Sequence, residues 1–424
     1  MNTVEQLRSG KLAGTKRLQL VEELTTFPDE IFTLADTLEV LDLSNNNLSD
    51  LPDEFASLTK LKRVFLSFNQ FQHVPAVLAK CPSLIMIAFK GNKISEFAEH
   101  SLPLSTQWLI LTDNHIEQLP DSFGELTQLR KLALAGNRLT TLPHSMQQCQ
   151  ALELVRLSAN NLTDVNDWLF ELPKLSWLAF AGNDFNKAQS LQQVQLAAIQ
   201  LNEFSLVEKI GEGASGIIHL AQWQHNNVAL KLFKGAITSD GYPLDEVNCC
   251  LQAGEHKNLI NVLAYIDNPE QLGLVMELIS KDYQNLGLPP SLDTCTRDTF
   301  FEHTQFTAHA IKHIAKQMVS TLAHLHINNV SHGDVYAHNT MINDEYTVLF
   351  GDFGAATNLD SLTDYQRQQM QRIEVRAIGC LIDDLLSVCS EVTSDATQLR
   401  KLAQQCMNAD MSQRPTLKAL IEKL

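Results

Sequence analysis

An asparagine returns every 22 or 23 residues through the first half of this 424-residue chain, as Asn46, Asn69, Asn92, Asn114, Asn137, Asn160 and Asn183. The same apolar frame surrounds each one. Leu38, Leu41, Leu43 and Leu48 set it around Asn46, and Leu61, Val64, Leu66 and Phe71 repeat it around Asn69. Leu84, Ile87, Phe89 and Ile94 follow, then Leu109, Leu111 and Ile116, then Leu129, Leu132, Leu134 and Leu139. Two further copies are Leu152, Val155, Leu157, Leu162 and Leu175, Leu178, Phe180, Phe185. A unit this short cannot enclose a core of its own. It buries its apolar side only against the next copy, so the chain must form a stacked array.

The alternating apolar positions predict a short strand in each copy, and the asparagine falls where the chain turns. A buried amide there can satisfy the turn's backbone groups. Leu51-Pro52, Val74-Pro75, Leu119-Pro120 and Leu142-Pro143 mark the start of the convex side. A degenerate first copy (Leu18, Leu20, Leu24, Phe27, Pro28) lacks the asparagine and reads as an N-terminal cap. The array resembles the leucine-rich repeats over roughly residues 15–190, which implies an α/β solenoid. Its concave strand positions would carry Phe65, Met86, Trp108, Ile110, Leu154 and Trp177. That is much apolar area for a solvated face. Either a protein partner docks there, or the chain's own second half covers it.

A Gln-rich join, 186–202, ends the pattern. It divides the chain into a repeat domain, 1–198, and a second domain, 199–424. No window approaches the roughly 18 apolar residues of a membrane helix, and the N-terminus lacks a signal-peptide core. Eight cysteines without CxxC spacing suit a reducing compartment. A soluble, cytoplasmic protein is expected. The formal charge of −17 argues against nucleic acid and anionic membranes as partners.

The second domain carries motifs in a telling order. A strand from Phe204 leads into Gly211-Glu212-Gly213-Ala214-Ser215-Gly216, followed by Ile218. Glycines at this spacing let backbone amides approach phosphate oxygens. Val228-Ala229-Leu230-Lys231 is an apolar strand bearing one cation, which needs a partner when buried. Asp245 and Glu246 follow as neighbouring acids. Leu274-Val275-Met276-Glu277-Leu278-Ile279 reads as a buried strand with a polar step. His332-Gly333-Asp334-Val335-Tyr336-Ala337-His338-Asn339 follows, and then Gly351-Asp352-Phe353-Gly354, with Asp352 13 residues after Asn339.

This order resembles the protein kinases from about residue 204 to the end, in a minimal eukaryotic-like version of bacterial type. The resemblance implies a bilobal α+β fold with a small lobe of about 199–280 and a large lobe of about 281–424. It implies ATP under the loop 211–216, with Ile218, Ala229, Met276, Glu277 and Ile279 around the adenine. Lys231 would align the phosphates, held by a helix glutamate for which Glu246 is the best candidate and Asp245 the rival. Asn339 and Asp352 would hold Mg²⁺, and Asp334 would orient the attacking hydroxyl, Ser or Thr by default. Arg414 would pair with Glu374 or another nearby acid.

Four departures from the family matter. Gly333 stands where an arginine usually meets a phosphorylated activation loop, so activation by loop phosphorylation is not expected. Tyr336 replaces a lysine that touches phosphate, and His338 could supply a weaker charge. The stretch from Asp352 to Glu374 lacks Ala-Pro-Glu, and only about 27 residues (380–406) separate two C-terminal landmarks. A nucleotide-binding pseudokinase acting as an interaction platform is therefore the alternative to an active enzyme. The repeats would recruit substrate or regulate the kinase.

Overall fold

The computed structural model describes residues 2–188, 196–213, 215–235, 237–238, 240–268 and 271–424. The chain divides into two compact units, Met1–Leu172 and Pro173–Leu424.

The first unit opens with α1 (Val4–Arg8), closed at its start by a capping box between Thr3 and Gln6. Seven three-residue strands follow: β1 (Arg17–Gln19), β2 (Val40–Asp42), β3 (Arg63–Phe65), β4 (Met86–Ala88), β5 (Trp108–Ile110), β6 (Lys131–Ala133) and β7 (Leu154–Arg156). Each pairs in parallel with the next, placing Leu18, Leu41, Val64, Ile87, Leu109, Leu132 and Val155 in one register. All seven are fully buried. On the convex side, 3₁₀ turns begin directly after Pro28, Pro52, Pro75, Pro120 and Pro143. Proline suits that place because its fixed φ is already helical and its missing N–H would have no partner. A short helix, α2 (Asp167–Phe170), ends the unit.

The asparagines tie the coils together. Asn69 Nδ2 donates to Leu43 O (2.9 Å) and Leu66 O (3.1 Å), while its Oδ1 accepts Leu48 N (2.9 Å). Asn92, Asn114, Asn137 and Asn160 repeat this pattern. The cap has no asparagine of its own. Asn46 of the next copy takes the Glu22 and Leu24 N–H groups, each at 3.0 Å.

The second unit begins with the last repeat copy, which holds β8 (Trp177–Ala179). Next come β9 (Ala197–Ile199), β10 (Ser205–Glu212), β11 (Gly216–Trp223), β12 (Asn226–Phe233), α3 (Pro243–Ala253), β13 (Val262–Asn268) and β14 (Gln271–Glu277). The strands form a sheet in the order β10-β11-β12-β14-β13-β9, antiparallel except for β9 on β13. Val228, Leu230, Ile266 and Val275 fill one face, and Phe233 and Leu274 on the other meet Val247 and Leu251 of α3.

A largely helical part follows. It contains β15 (Gln284–Asn285), α4 (Ala308–Ile327), β16 (Val330–Ser331), β17 (Thr340–Ile342), β18 (Val348–Phe350), β19 (Thr357–Asn358), α5 (Asp364–Ser387), α6 (Ser394–Cys406) and α7 (Leu417–Lys423). The central helix α4 packs on α5, α6 and α7 through residues such as Ile314, Met318 and Leu322. No helix among the described residues is long and apolar enough to cross a membrane.

Candidate active site

A cleft of roughly 610 Å³ opens in the second unit, between the sheet and the helical part. Gly213, Ser215, Gly216 and Ile218 face it from the β10–β11 turn, and Lys231 from β12. Met276 and Ile279 close one wall, and Asn339 and Asp352 approach from the helical part. A Cβ on Gly213 would meet open space, whereas one on Gly216 would lie 2.6 Å from Leu232 O. That close backbone approach requires glycine at 216.

Lys231 is buried, and its Nζ binds Glu246 Oε1 and stands 3.8 Å from Asp352 Oδ1. Burial works against the ammonium, but the Glu246 and Asp352 carboxylates outweigh it and raise its pKa. Burial pushes Glu246 the other way for an acid, up to about 7. Its Oε2 is buried without a hydrogen-bond partner. The helix α3 delivers Glu246 because Pro243 sits at its first turn and Val247 and Leu251 anchor its apolar face on the sheet. Asp245 faces elsewhere and accepts Ala188 N at 3.1 Å. Of the two acids, Glu246 is the one paired with Lys231.

The loop between β16 and β17 carries Asp334 and Asn339. Asn339 Nδ2 donates to Asp334 Oδ2 at 2.7 Å, bringing the two side chains together. The loop's start is pinned from below by Glu374, whose Oε1 accepts both His332 N and Gly333 N. His332 is buried, and burial lowers its pKa. Its neutral ring donates from Nε2 to Gly351 O at 2.9 Å and stacks on Phe350 at 3.8 Å between centroids. His338 Nδ1 bonds Asp298 Oδ1 at 2.6 Å, and Asp298 also accepts Ala337 N. Asp352 lies in the left-handed region (φ 56°), a conformation Asp tolerates, and caps the turn Phe353–Ala355. The pairing of Ser331 with Thr357 sets the next segment beside this loop.

Several expected residues stand differently. Ala214 lies outside the described residues. Glu212 turns away to Lys209 and Lys234, which hold its carboxyl down to about 2. Gly211, Ala229, Glu277 and Asp334 are absent from the cleft wall, although Ala229 shares the face of β12 with Lys231 and Asp334 is bonded to Asn339, which lines it. Glu374 is not the partner of Arg414. It pairs with His326 Nε2 (2.6 Å), while Arg414 donates to the carbonyls of Asn408, Arg372 and Pro173.

The concave apolar stripe is also corrected. Trp177 is 1% exposed. Its indole stacks on Tyr336 (centroids 4.5 Å, planes 7° apart) and donates to Val335 O at 3.0 Å. The second half of the chain thus covers it. Met86, between Arg63 and Trp108 in register, and Leu154, beside Lys131, are buried too. Phe65, Trp108 and Ile110 keep partial exposure.

Sequence reasoning missed Asp298, which belongs to no motif and lies in the loop before α4. It also missed Cys250, which lines the cleft one helical turn from Glu246. An i, i+4 count along α3 was the available signal.

The comparisons agree with this architecture. The family described as "Protein kinase domain" matches residues 204–378, and "Leucine rich repeat" matches 17–71, 104–162 and 127–185. Among curated proteins, the chain is 27% identical over 163 residues to Cyclin-dependent kinase 11.1 of Caenorhabditis elegans, covering 37% of this chain and 21% of that one. It is 28% identical over 169 residues to Serine/threonine-protein kinase PITSLRE of Drosophila melanogaster, covering 38% and 17%. With CTD kinase subunit alpha of Schizosaccharomyces pombe it shares 29% over 157 residues, covering 36% and 24%. The chain thus spans between 17% and 24% of the length of these relatives. In family terms, this chain joins leucine-rich repeats within residues 17–185 to a protein kinase domain matched at 204–378.

Proposed function

We propose that the second unit transfers the γ-phosphate of ATP to a protein hydroxyl, Ser or Thr by default, with Mg²⁺. The observation that carries this reading is the convergence on one cleft of Lys231 paired to Glu246, Asp352 within 4 Å of that lysine, and Asn339 bonded to Asp334. A platform without catalysis would not need all five groups.

The cleft suits the nucleotide. Its mouth carries glycines with room for close backbone approach, and Met276 and Ile279 offer an apolar wall for a base. Lys231 would grip phosphate oxygens, with Glu246 fixing its position. Asp352 and Asn339 would hold the metal. Among the described residues no group of three or more His, Cys, Asp or Glu forms a protein-only metal site. That donor set suits Mg²⁺, which takes one or two carboxylates and completes its shell from phosphates and water. When bound, the ion neutralises charge on the phosphates. Asp334, positioned by Asn339, would orient the attacking hydroxyl and accept its proton.

The repeats would recruit the protein substrate, raising its effective concentration at the cleft, or regulate access to it. Phe65, Trp108 and Ile110 are the concave residues left for that role. A reducing, cytoplasmic setting fits the eight free cysteines.

The test is phosphate transfer from γ-labelled ATP with Mg²⁺ to casein, using the full chain beside Asp334→Asn and Asp352→Asn. Transfer by the wild type and its loss in both variants is expected. Equal signal from wild type and Asp334→Asn would refute the reading.

A further inference from the structure

The last repeat copy, residues 173–188, touches three segments that carry or adjoin the cleft residues, all within the second unit. Trp177 holds the loop that carries Asp334, by its stack on Tyr336 and its bond to Val335 O. Phe180 N donates to Thr357 Oγ1 (3.3 Å), on the strand that follows Asp352 and Phe353. Ala188 N donates to Asp245 Oδ1 (3.1 Å), next to Glu246 on α3. The copy is in turn anchored below, where Arg414 donates to Pro173 O (2.6 Å) and Arg376 to Lys174 O (2.9 Å).

Two glycines record how tightly this copy fits. Gly333 has φ 71°, and a Cβ there would lie 2.5 Å from Ala355 O and 2.9 Å from Leu178 O. The backbone of the copy therefore occupies the space into which a side chain at 333 would grow. Gly182, φ 73°, would place a Cβ 2.6 Å from both the Asp245 carboxylate and the Tyr242 ring. Neither position accepts another residue without moving a backbone or a buried side chain. The resemblance to kinases left position 333 without its arginine. The structure puts a piece of the repeat array at that place instead.

We propose that residues 173–188 are a built-in positioning element, holding the Asp334 loop, the Thr357 strand and α3 in their working arrangement without any phosphorylated loop. Trp177 is its principal positioning residue. It never reaches the cleft and acts only through Val335 and Tyr336. The proposal rests on the phosphotransfer reading for what the held loop then does, but the holding itself is a separate, measurable property.

The experiment uses the full chain as wild type, Trp177→Ala and Trp177→Phe. Amide hydrogen exchange is followed at residues 332–339 and 354–358, alongside phosphate transfer to casein and the KM for ATP. Trp177→Ala is expected to speed exchange at 332–339 by about tenfold or more, because opening of the loop becomes local rather than global. Its kcat should fall by about tenfold to a hundredfold, the usual cost of displacing a catalytic group by about an ångström. The KM for ATP should stay within about threefold, since Lys231 and Glu246 are untouched. Trp177→Phe keeps the ring stack and loses the N–H bond, so it should fall between the two. If Trp177→Ala does not fold, Trp177→Phe decides. Unchanged exchange at 332–339 in the folded variant overturns the proposal. A wild type that transfers no phosphate overturns the enzymatic reading instead, and the exchange data still judge the holding.

Discussion

Glu374 Oε1 accepts the backbone N–H of His332 and of Gly333, both at 2.8 Å, while its Oε2 takes His326 Nε2 at 2.6 Å. One buried carboxylate thus fixes the entry to the Asp334 loop from the middle of α5. Burial works against its charge, but His326 and the Gly333 amide outweigh burial and hold its pKa below the ordinary 4.5. Its stabilising effect is complete above that ordinary value and fades as pH falls through the lowered one. Glu374→Ala would strand His326 and both amides. A loss of about 3–5 kcal/mol in urea unfolding is expected, as for other broken buried pairs.

Lys231→Met should abolish turnover while leaving the fold. Removing one electrostatic contact to the reacting group costs about a hundredfold to a thousandfold in kcat. Folding should survive because burial already pushes the Glu246 carboxyl up to about 7. Without the lysine it simply takes up a proton. Transfer assays beside a thermal melt check this, and a melt lowered by more than about 8 °C would contradict it.

Asp245 has its pKa raised by burial from 3.8 to about 6, against the pull of the Ala188 N–H. The folded chain therefore holds a proton that the unfolded chain has lost between those values. Stability should fall as pH rises from about 4 to about 6, by about 3 kcal/mol for a shift of about two units. Asp245→Asn keeps an acceptor for Ala188 and carries no charge. It should flatten that pH profile and raise the melting temperature at pH 7.5. An unchanged profile by scanning fluorimetry would count against it.

The segment after Asp352 reaches α5 quickly, at Asp364, and Thr357 is wholly buried. Ser361, Thr363 and Tyr365 are the remaining hydroxyls there. Thr363 caps α5 by accepting Gln366 N, so alanine at this place would cost about 1 kcal/mol for a reason unrelated to phosphorylation. The variant Ser361→Ala/Thr363→Asn/Tyr365→Phe keeps a cap and offers no acceptor. Its kcat should match wild type within about twofold, since the holding contacts of residues 173–188 remain.

How much of this was legible in the chain differs between its halves. The asparagine register fixed the first unit because each amide answers to backbone groups one copy away, a local rule that six asparagines repeat there. Lys231, Glu246, Asp334, Asn339 and Asp352 could be singled out because the kinase resemblance asks for those types in that order, and the structure pairs Lys231 with Glu246 and Asn339 with Asp334. Asp298, the partner of His338, was not, because a single carboxylate in a loop has no period and no fixed spacing. The burial of Trp177 was legible only as an open choice. Its strand position says which way the ring points, but not what arrives to cover it 158 residues later in the chain.

Phe65 and Trp108 provide the test of recruitment. Trp108 already holds Lys131 Nζ over its ring at 4.3 Å, so its face has an affinity for cations. Phe65→Ala/Trp108→Ala should raise the KM for a native protein substrate by about tenfold and leave casein turnover unchanged. Equal KM values for both substrates would remove these residues from the account.

The membership of residues 173–188 in the second unit has a consequence for how such a chain can vary. Copies between Val40 and Leu172 share one rule, because the same asparagine ladder ties each to the next. A repeated rule of this kind suits change of length in steps of one coil. The final coil is not one of these copies. It is shaped to Gly333, Thr357 and Asp245, and would have to travel with them in any shuffling of the two halves. Deleting 1–198 would remove it, along with two of the three β9 residues at the sheet edge, Ala197 and Ala198. A graft that respects the molecule's own seam begins at Pro173.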